Sequence, residues 1–495
     1  MCWWRVAVFT GLALAAGCTK PNPRSCADGI CNDPAFPFCD VDGALEGQTN
    51  TCIAVTCSPG EFTACRGDQA ITCNAVGNDY ELIQCERGCE VGTGCRLCDP
   101  NETACTNGTV ATCDAAGVVT SKQDCPLGCF ESEPRCREID PSNGLGQYLD
   151  PSQPASDLDL SAGGTIDTAT GQVRDANNTL IPVTTLLLPA PQNGAAVRVF
   201  IVGTARLGNI NVFSSSTPGP ALALLAHGEI TVEGTFSLWT PDAENAQPLP
   251  GGVAFASCRG GRAGVNSQDQ ATIRTGSGGG GHATAGGHGG SVDPLLLGGA
   301  GGAASGSPSL EPLRGGCSAG DSLDGGGGAV QLSSRVAITV RDSAVINANG
   351  QIGIAFAQGP SELFGGGAGG GILLEAPTVS LGSNARLLVN GGPAATDAQL
   401  APSVSLTTAV SAGGSCTSTA AYKCGKGGDG AALDGPASDA VNVPFTGSAT
   451  VTDYVAAGGG GGLGYIRINT QSGQYTKQSD TIESGVLTTG TVRTR

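Results

Sequence analysis

Short runs in which apolar residues alternate with polar or small ones recur from about residue 197 onward. They lie at Val197 to Val202, Asn209 to Phe213, Ala221 to Ala226, Ile230 to Val232 and Phe236 to Trp239, with Gly, Pro, Ser or Asn between them. Runs this short, spaced by turn residues, predict strands rather than helices. A longer unit follows. Gly325 to Gly328 leads into Val330-Gln331-Leu332, Ile338-Thr339-Val340 and Ala348-Asn349-Gly350; Gly369 to Gly371 leads into Ile372-Leu373-Leu374, Val379-Ser380-Leu381 and Val389-Asn390-Gly391, about 41 or 42 residues later. A third glycine run, Gly458 to Gly462, precedes Tyr465-Ile466-Arg467-Ile468. Side chains alternate faces along a strand, so each run offers one apolar row to an interior. Rows stacked coil upon coil predict a mainly β fold whose body, residues 165–495, is a parallel, β-helix-like solenoid. Asn349 and Asn390 fall at equivalent places. They suit an inward asparagine stack, but the plainer expectation is that Asn-Gly turns the chain.

Residues 257–328 and 393–462 hold most of the glycine and little strand pattern, so they read as long insertions between strands. Glycine loses the most conformational entropy on ordering. Such stretches are either mobile or packed backbone against backbone where side chains do not fit. Cysteine enters this body only at Cys258, Cys317, Cys416 and Cys424. The short separation of Cys416 and Cys424 predicts a local clip, which leaves Cys258 with Cys317 to close a long insertion.

The first part of the chain has a different grammar. Cysteines 57, 65, 73, 85, 89 and 95 are separated by 7, 7, 11, 3 and 5 residues, and cysteines 98, 105, 113, 125, 129 and 136 by 6, 7, 11, 3 and 6. Two tandem six-cysteine modules, 57–97 and 98–136, follow from that agreement. A four-cysteine unit (Cys26, Cys31, Cys39, Cys52) within residues 18–56 precedes them. Modules this small bury too little apolar surface to fold unaided, so disulfides must stabilise them, and six cysteines allow fifteen pairings. The Cys95-Arg96-Leu97-Cys98 spacing matches a zinc knuckle, but it straddles the module boundary in a chain whose cysteine content indicates an oxidising compartment. Arg66-Gly67-Asp68 is read as a chance match to a cell-attachment tripeptide. Residues 137–164 lose their cysteines and collect Pro141, Pro151, Pro154 and several aspartates, which predicts an exposed linker.

Composition narrows the function classes. Lys plus Arg 25 against Asp plus Glu 43 gives a net charge of -18, which argues against nucleic acid bound through its phosphates. At the start, Arg5, an apolar run from Val6 to Ala16 and then Ala15-Ala16-Gly17-Cys18 resemble a bacterial lipoprotein signal, with residues 1–17 removed and Cys18 lipidated. Parity agrees. Of 22 cysteines, losing Cys2 with the signal and giving Cys18 to lipid leaves an even set that can all pair. Acyl chains then hold the protein to a membrane without a spanning helix, and Thr19 after the anchor favours an outer membrane.

The order of these features, with Leu310-Glu311-Pro312-Leu313-Arg314-Gly315-Gly316-Cys317, Gly371-Ile372-Leu373-Leu374-Glu375-Ala376-Pro377 and Tyr465-Ile466-Arg467-Ile468-Asn469-Thr470, resembles secreted, glycine-rich, cysteine-repeat lipoproteins of myxobacteria over nearly the whole chain. The resemblance implies an extracytoplasmic, lipid-anchored protein and carries no activity with it.

Chemistry is sparse. A solenoid hydrolase or lyase acting on acidic polysaccharide, the rival expectation, needs close carboxylates or calcium-binding acidic clusters. The chain has no Asp-Asp, only a partial Ala226-His227-Gly228, and aspartates 321, 324, 429 and 434 dispersed among loops. His282 and His288 lie in a glycine loop and make at best a weak surface metal pair. Gly-x-Gly-x-x-Gly matches reflect glycine abundance, and Gly425-Lys426-Gly427 lacks the Ser or Thr of a phosphate loop. No catalytic residue, metal or cofactor is assigned. The expectation is a non-catalytic structural or adhesive component of the cell envelope, in contact with polysaccharide or surface proteins.

Overall fold

The computed structural model describes residues 24–26 and 29–495, except 116, 151, 153–154, 192–193, 217–218, 239–248, 253–257, 269–270, 321–325, 354–363, 395–402, 405–410, 434 and 449. The chain is mainly β and divides after Cys136 into two compact units.

The first unit is a set of short antiparallel sheets stapled by sulfur. In the four-cysteine module, Phe38–Asp40 pairs with Thr51–Ile53, and disulfides join Cys26 to Cys39 and Cys31 to Cys52. Each six-cysteine module folds as a three-stranded meander: Phe62–Arg66, Gln69–Cys73 and Tyr80–Gln84, then Thr103–Thr106, Thr109–Cys113 and Val119–Asp124. The connectivity that spacing left open is the same in both. The first cysteine pairs with the third, the second with the fifth and the fourth with the sixth: 57–73, 65–89 and 85–95, then 98–113, 105–129 and 125–136. Cys95 and Cys98 therefore belong to different disulfides, which removes the zinc-knuckle reading. Hairpin turns sit at Gly67, φ 56°, and at Asn107-Gly108, φ 49° and 74°, where a two-residue turn needs left-handed backbone. Arg66-Gly67-Asp68 is thus a hairpin corner, with the Arg66 Nε donating to Asp42 at 2.8 Å.

In the second unit, successive circuits of the chain each give one strand to three sheets. One circuit is Ala221–Ala226, Ile230–Val232 and Thr235–Ser237; the next are Ala329–Ser334, Ala337–Val340, Val345–Asn347, and Gly371–Glu375, Thr378–Leu381, Arg386–Leu388. Pairing between these circuits is parallel, with Val330 opposite Ile372, Ile338 opposite Val379 and Ile346 opposite Leu387. The 41- or 42-residue units are therefore neighbours in all three sheets. Their inward rows, Leu222, Leu224, Val330, Leu332, Ile372, Leu374, Ile466 and Ile468 among them, form one buried core. At its first-circuit end the sheets close in antiparallel hairpins, Thr184–Leu188 on Val197–Val202 and Gln172–Asp175 on Gly164–Asp167.

The asparagines stack. Asn349 and Asn390 are fully buried, the Asn349 side-chain oxygen accepts the Asn390 N–H at 2.7 Å, and neither asparagine nor the glycine after it has left-handed backbone. The expected Asn-Gly turn is corrected: the chain runs straight on into a glycine segment, and the amide side chain serves as an inter-circuit hydrogen bond.

The described glycine segments are packed backbone on backbone. In the segment Gly458–462, the N–H of Gly459 donates to Ser277, that of Gly460 to Ser438, that of Gly461 to Gly392 and that of Gly462 again to the first neighbour, at Gly280. Its carbonyls accept from Gly428 and Ala431, Gly366 and Gly369, and Gly287. The segment 366–370 repeats the rule: Gly366 donates to Gly459, Gly367 to Gln351, Ala368 to Cys317, then Gly369 to Gly462 and Gly370 to Ala348. A partner that recurs every third residue is the signature of the extended polyproline II conformation, whose three residues per turn aim successive amides at three different neighbours. Isolated, that helix leaves its backbone unbonded; bundled, it satisfies it. Alanine is accommodated at Ala368, but at the closest approaches only glycine permits the bundling. A Cβ on Gly461 would overlap the carbonyl of Gly367, and one on Gly366 that of Gly392.

Residues 137–164 are not an exposed linker. They belong to the second unit, where Leu145, Leu149, Leu158 and Leu160 are buried. Glu138 and Asp140 exchange backbone bonds with Arg495 and Arg493 beside the last circuit, while Leu158–Leu160 pairs in parallel with Ala205–Leu207 at the first. The segment is a clasp running from one end of the sheets to the other. Proline and aspartate gave it the look of a linker, but its leucines decide its fate.

Candidate functional site

The six-stranded sheet presents one outward row across its whole width: Asp159, Arg206, Thr231, Thr339, Ser380 and Thr476 stand opposite one another in register. The row exists because its members up to Ser380 are each flanked by inward apolar residues, as in Ile230-Thr231-Val232, Ile338-Thr339-Val340 and Val379-Ser380-Leu381. Successive hydroxyls are therefore about one strand spacing apart, ~4.8 Å. The Ser380 hydroxyl donates to Thr339 Oγ1 at 3.3 Å. Beside the hydroxyls opens a cleft of about 470 Å³, lined also by Glu233, Arg341, Asp342 and Lys477.

Charge in the cleft is balanced and internally engaged. Glu233 lies between Arg206, with Nη2 at 3.1 Å, and Arg341, with Nε at 3.5 Å. Lys477 pairs with Glu483 at 2.8 Å, and Asp342 accepts the Ser383 N–H at 2.8 Å. The cleft thus offers hydroxyls together with paired carboxylates and cations, suited to many weak polar contacts with an extended polymer. Among the described residues no aromatic ring lines it.

Comparison with protein-family models, with curated proteins and with solved structures finds no match for this chain.

The residues singled out in the sequence lie elsewhere. Cys258 pairs with Cys317 and Cys416 with Cys424, Cα atoms 5.8 and 6.1 Å apart. Cys18, Asp321, Asp324 and Asp434 lie outside the described residues. Asp429 accepts the Lys426 ammonium at 3.1 Å and the Gly413 N–H at 2.6 Å. His227 follows the strand Ala221–Ala226; burial, then Arg335, lower its pKa against the pull of Asp150 and Glu138. Glu138 is itself paired with Arg335 at 2.9 Å and Arg495 at 3.3 Å. Arg467 donates to Asn469 at 2.7 Å and to the Thr489 carbonyl at 2.8 Å, and no interaction joins it to His227.

His282 is corrected from a surface position to a fully buried one. Its Nδ1 meets the Gly369 carbonyl at 2.8 Å and its ring stands edge-on to Tyr465, whereas His288 is exposed, so the two cannot form a surface metal pair. Desolvation lowers its pKa to about 4. The one grouping with metal-ligand proximity among the described residues, Cys26, Cys31 and Cys39, is consumed by disulfides. The threonine row escaped sequence reading, although its signal was present: a hydroxyl residue sits between two apolar ones at the same place in each repeat.

Proposed function

We propose that the protein is a non-catalytic component of the cell envelope, lipid-anchored through Cys18, whose second unit is a β-solenoid that contacts envelope polysaccharide along the Thr231–Thr339–Ser380–Thr476 row. The observation that carries the reading is that row, a regular polar track on a sheet with the charges beside it already engaged within the protein. A polymer that repeats along its own axis meets a repeating set of donors and acceptors there. Three sheets whose strands pair in parallel from circuit to circuit support the solenoid. Ten disulfides use every cysteine from Cys26 to Cys424, which supports an oxidising environment and leaves Cys18 for lipid. No helix among the described residues is long and apolar enough to cross a membrane.

Metabolic labelling with a fatty-acid analogue tests the anchor. The wild type takes up label and Cys18→Ala does not; label retained in that variant contradicts the reading.

A further inference from the structure

The outer face of the seven-stranded sheet carries a buried polar cluster, apart from the cleft, where the clasp meets the strands Ala329–Ser334 and Gly371–Glu375. Glu375 is 2 % exposed, and among the described residues no salt bridge reaches it. A buried carboxylate without a counter-charge is costly unless hydrogen bonds replace its water. Its Oε1 accepts the Ser142 hydroxyl at 2.6 Å and Asn469 Nδ2 at 2.9 Å. Its Oε2 accepts the Ser142 N–H at 3.0 Å, Gln331 Nε2 at 2.8 Å and the Ser333 hydroxyl at 3.1 Å. One carboxylate thus bridges a hydroxyl and a carboxamide nitrogen. The Ser142 carbonyl also accepts Gln331 Nε2 at 3.2 Å, which holds the serine against that amide. On the far side, Asn143 Nδ2 donates to Gln331 Oε1 at 3.0 Å. Ser142 is 3 % exposed and Gln331 is fully buried, so water is kept from the group.

A nucleophile, a base that touches both nucleophile and leaving nitrogen, and a donor on the carbonyl oxygen are the parts of an acyl transfer. We infer that Ser142 and Gln331 become joined by an intramolecular ester after folding. Glu375 takes the hydroxyl proton as Ser142 Oγ attacks the Gln331 side-chain carbonyl carbon. The charge that develops on Gln331 Oε1 is met by the Asn143 amide. Collapse breaks the carbon–nitrogen bond, Nε2 receives the proton from Glu375, and ammonia leaves. One C–O bond replaces one C–N bond, Glu375 is regenerated, and no oxidant or cofactor takes part. The bond fastens the clasp to the sheet, closing a loop of chain from Ser142 to Gln331.

Mass spectrometry of the full chain tests this without requiring any variant to fold. After reduction and alkylation, trypsin yields the peptides 138–174 and 315–335. The expected result is that they travel as one species, lighter than their sum by one ammonia, with fragments placing the link at Ser142 and Gln331 and with alkaline hydroxylamine separating them. Ser142→Ala and Gln331→Glu each give two separate peptides. Recovery of the two wild-type peptides unlinked and at full mass overturns the inference, as does a link mapped to Asn469 in place of Gln331.

Discussion

Ser142 and Glu375, separated by 233 residues of chain, meet twice: the serine hydroxyl reaches one carboxylate oxygen at 2.6 Å and its N–H the other at 3.0 Å. This double contact is where the clasp is held to the sheet. It converts a stretch with the composition of a linker into part of the folded unit.

Glu375→Ala leaves the Ser142 N–H and hydroxyl, the Ser333 hydroxyl and Asn469 Nδ2 without their shared acceptor in a buried site, whereas Gln331 Nε2 keeps the Ser142 carbonyl. Each orphaned donor costs about 1–3 kcal/mol, so the variant is expected to lose at least ~3 kcal/mol. Chemical denaturation of the second unit measures the loss. Wild-type stability in the variant would mean that the cluster contributes nothing.

The glycine bundle predicts a sharp contrast between two substitutions. Gly461→Ala puts a methyl group into the Gly367 carbonyl with only backbone around it, and a loss above ~2 kcal/mol or failure to fold is expected. Gly435→Ala meets open space at an unstrained position and is expected to change stability by less than ~0.5 kcal/mol. Thermal melts of the pair give the comparison; equal melting temperatures would exclude close backbone packing at Gly461.

His282 predicts an acid limb in the stability profile. Its pKa is lowered by burial from the ordinary 6.5 to about 4, so between those values the unfolded chain binds a proton that the folded chain refuses. Stability therefore falls as pH drops from about 6.5 towards about 4, by an amount on the order of 3 kcal/mol, and this contribution levels off below that. His282→Phe removes this share of the slope. An unchanged slope in a folded variant would contradict a buried neutral imidazole.

Reduction should separate the two units. Eight of the disulfides lie before residue 137 and two beyond it, so thiols unfold the cysteine modules and spare the β signal of the second unit. Limited proteolysis then removes the modules and leaves residues 139–149 protected. Cleavage within 139–149 of the native chain would restore the linker reading.

The strands were legible because alternation and the 41-residue repeat act locally: Ile338-Thr339-Val340 announces its inward and outward faces unaided. The cysteine modules were legible as units, but their connectivity depends on which strands pair and spacing does not encode it. Glycine segments say nothing of their partners, because the bonds joining Gly461 to Gly392 and Gly366 to Gly459 are backbone to backbone and carry no side-chain code. The clasp has the pattern of a linker because Leu145 and Leu149 form too short a run to outweigh Pro141, Pro151 and Pro154. The burial of His282 is not legible because its neighbours are glycines, and a glycine-rich stretch looks the same whether solvated or packed.

The most direct test of the proposed function is co-sedimentation of the protein with insoluble polysaccharide from the cell envelope, with reducing and unsaturated sugar assayed in the same supernatant. The wild type is expected to sediment with the polymer and to release no sugar, and a folded Thr339→Glu, Ser380→Glu variant, whose new carboxylates break the hydroxyl row, is expected to remain in solution. Sugar release by the wild type that disappears in Glu233→Gln, or sedimentation unchanged by the double substitution, would contradict the account.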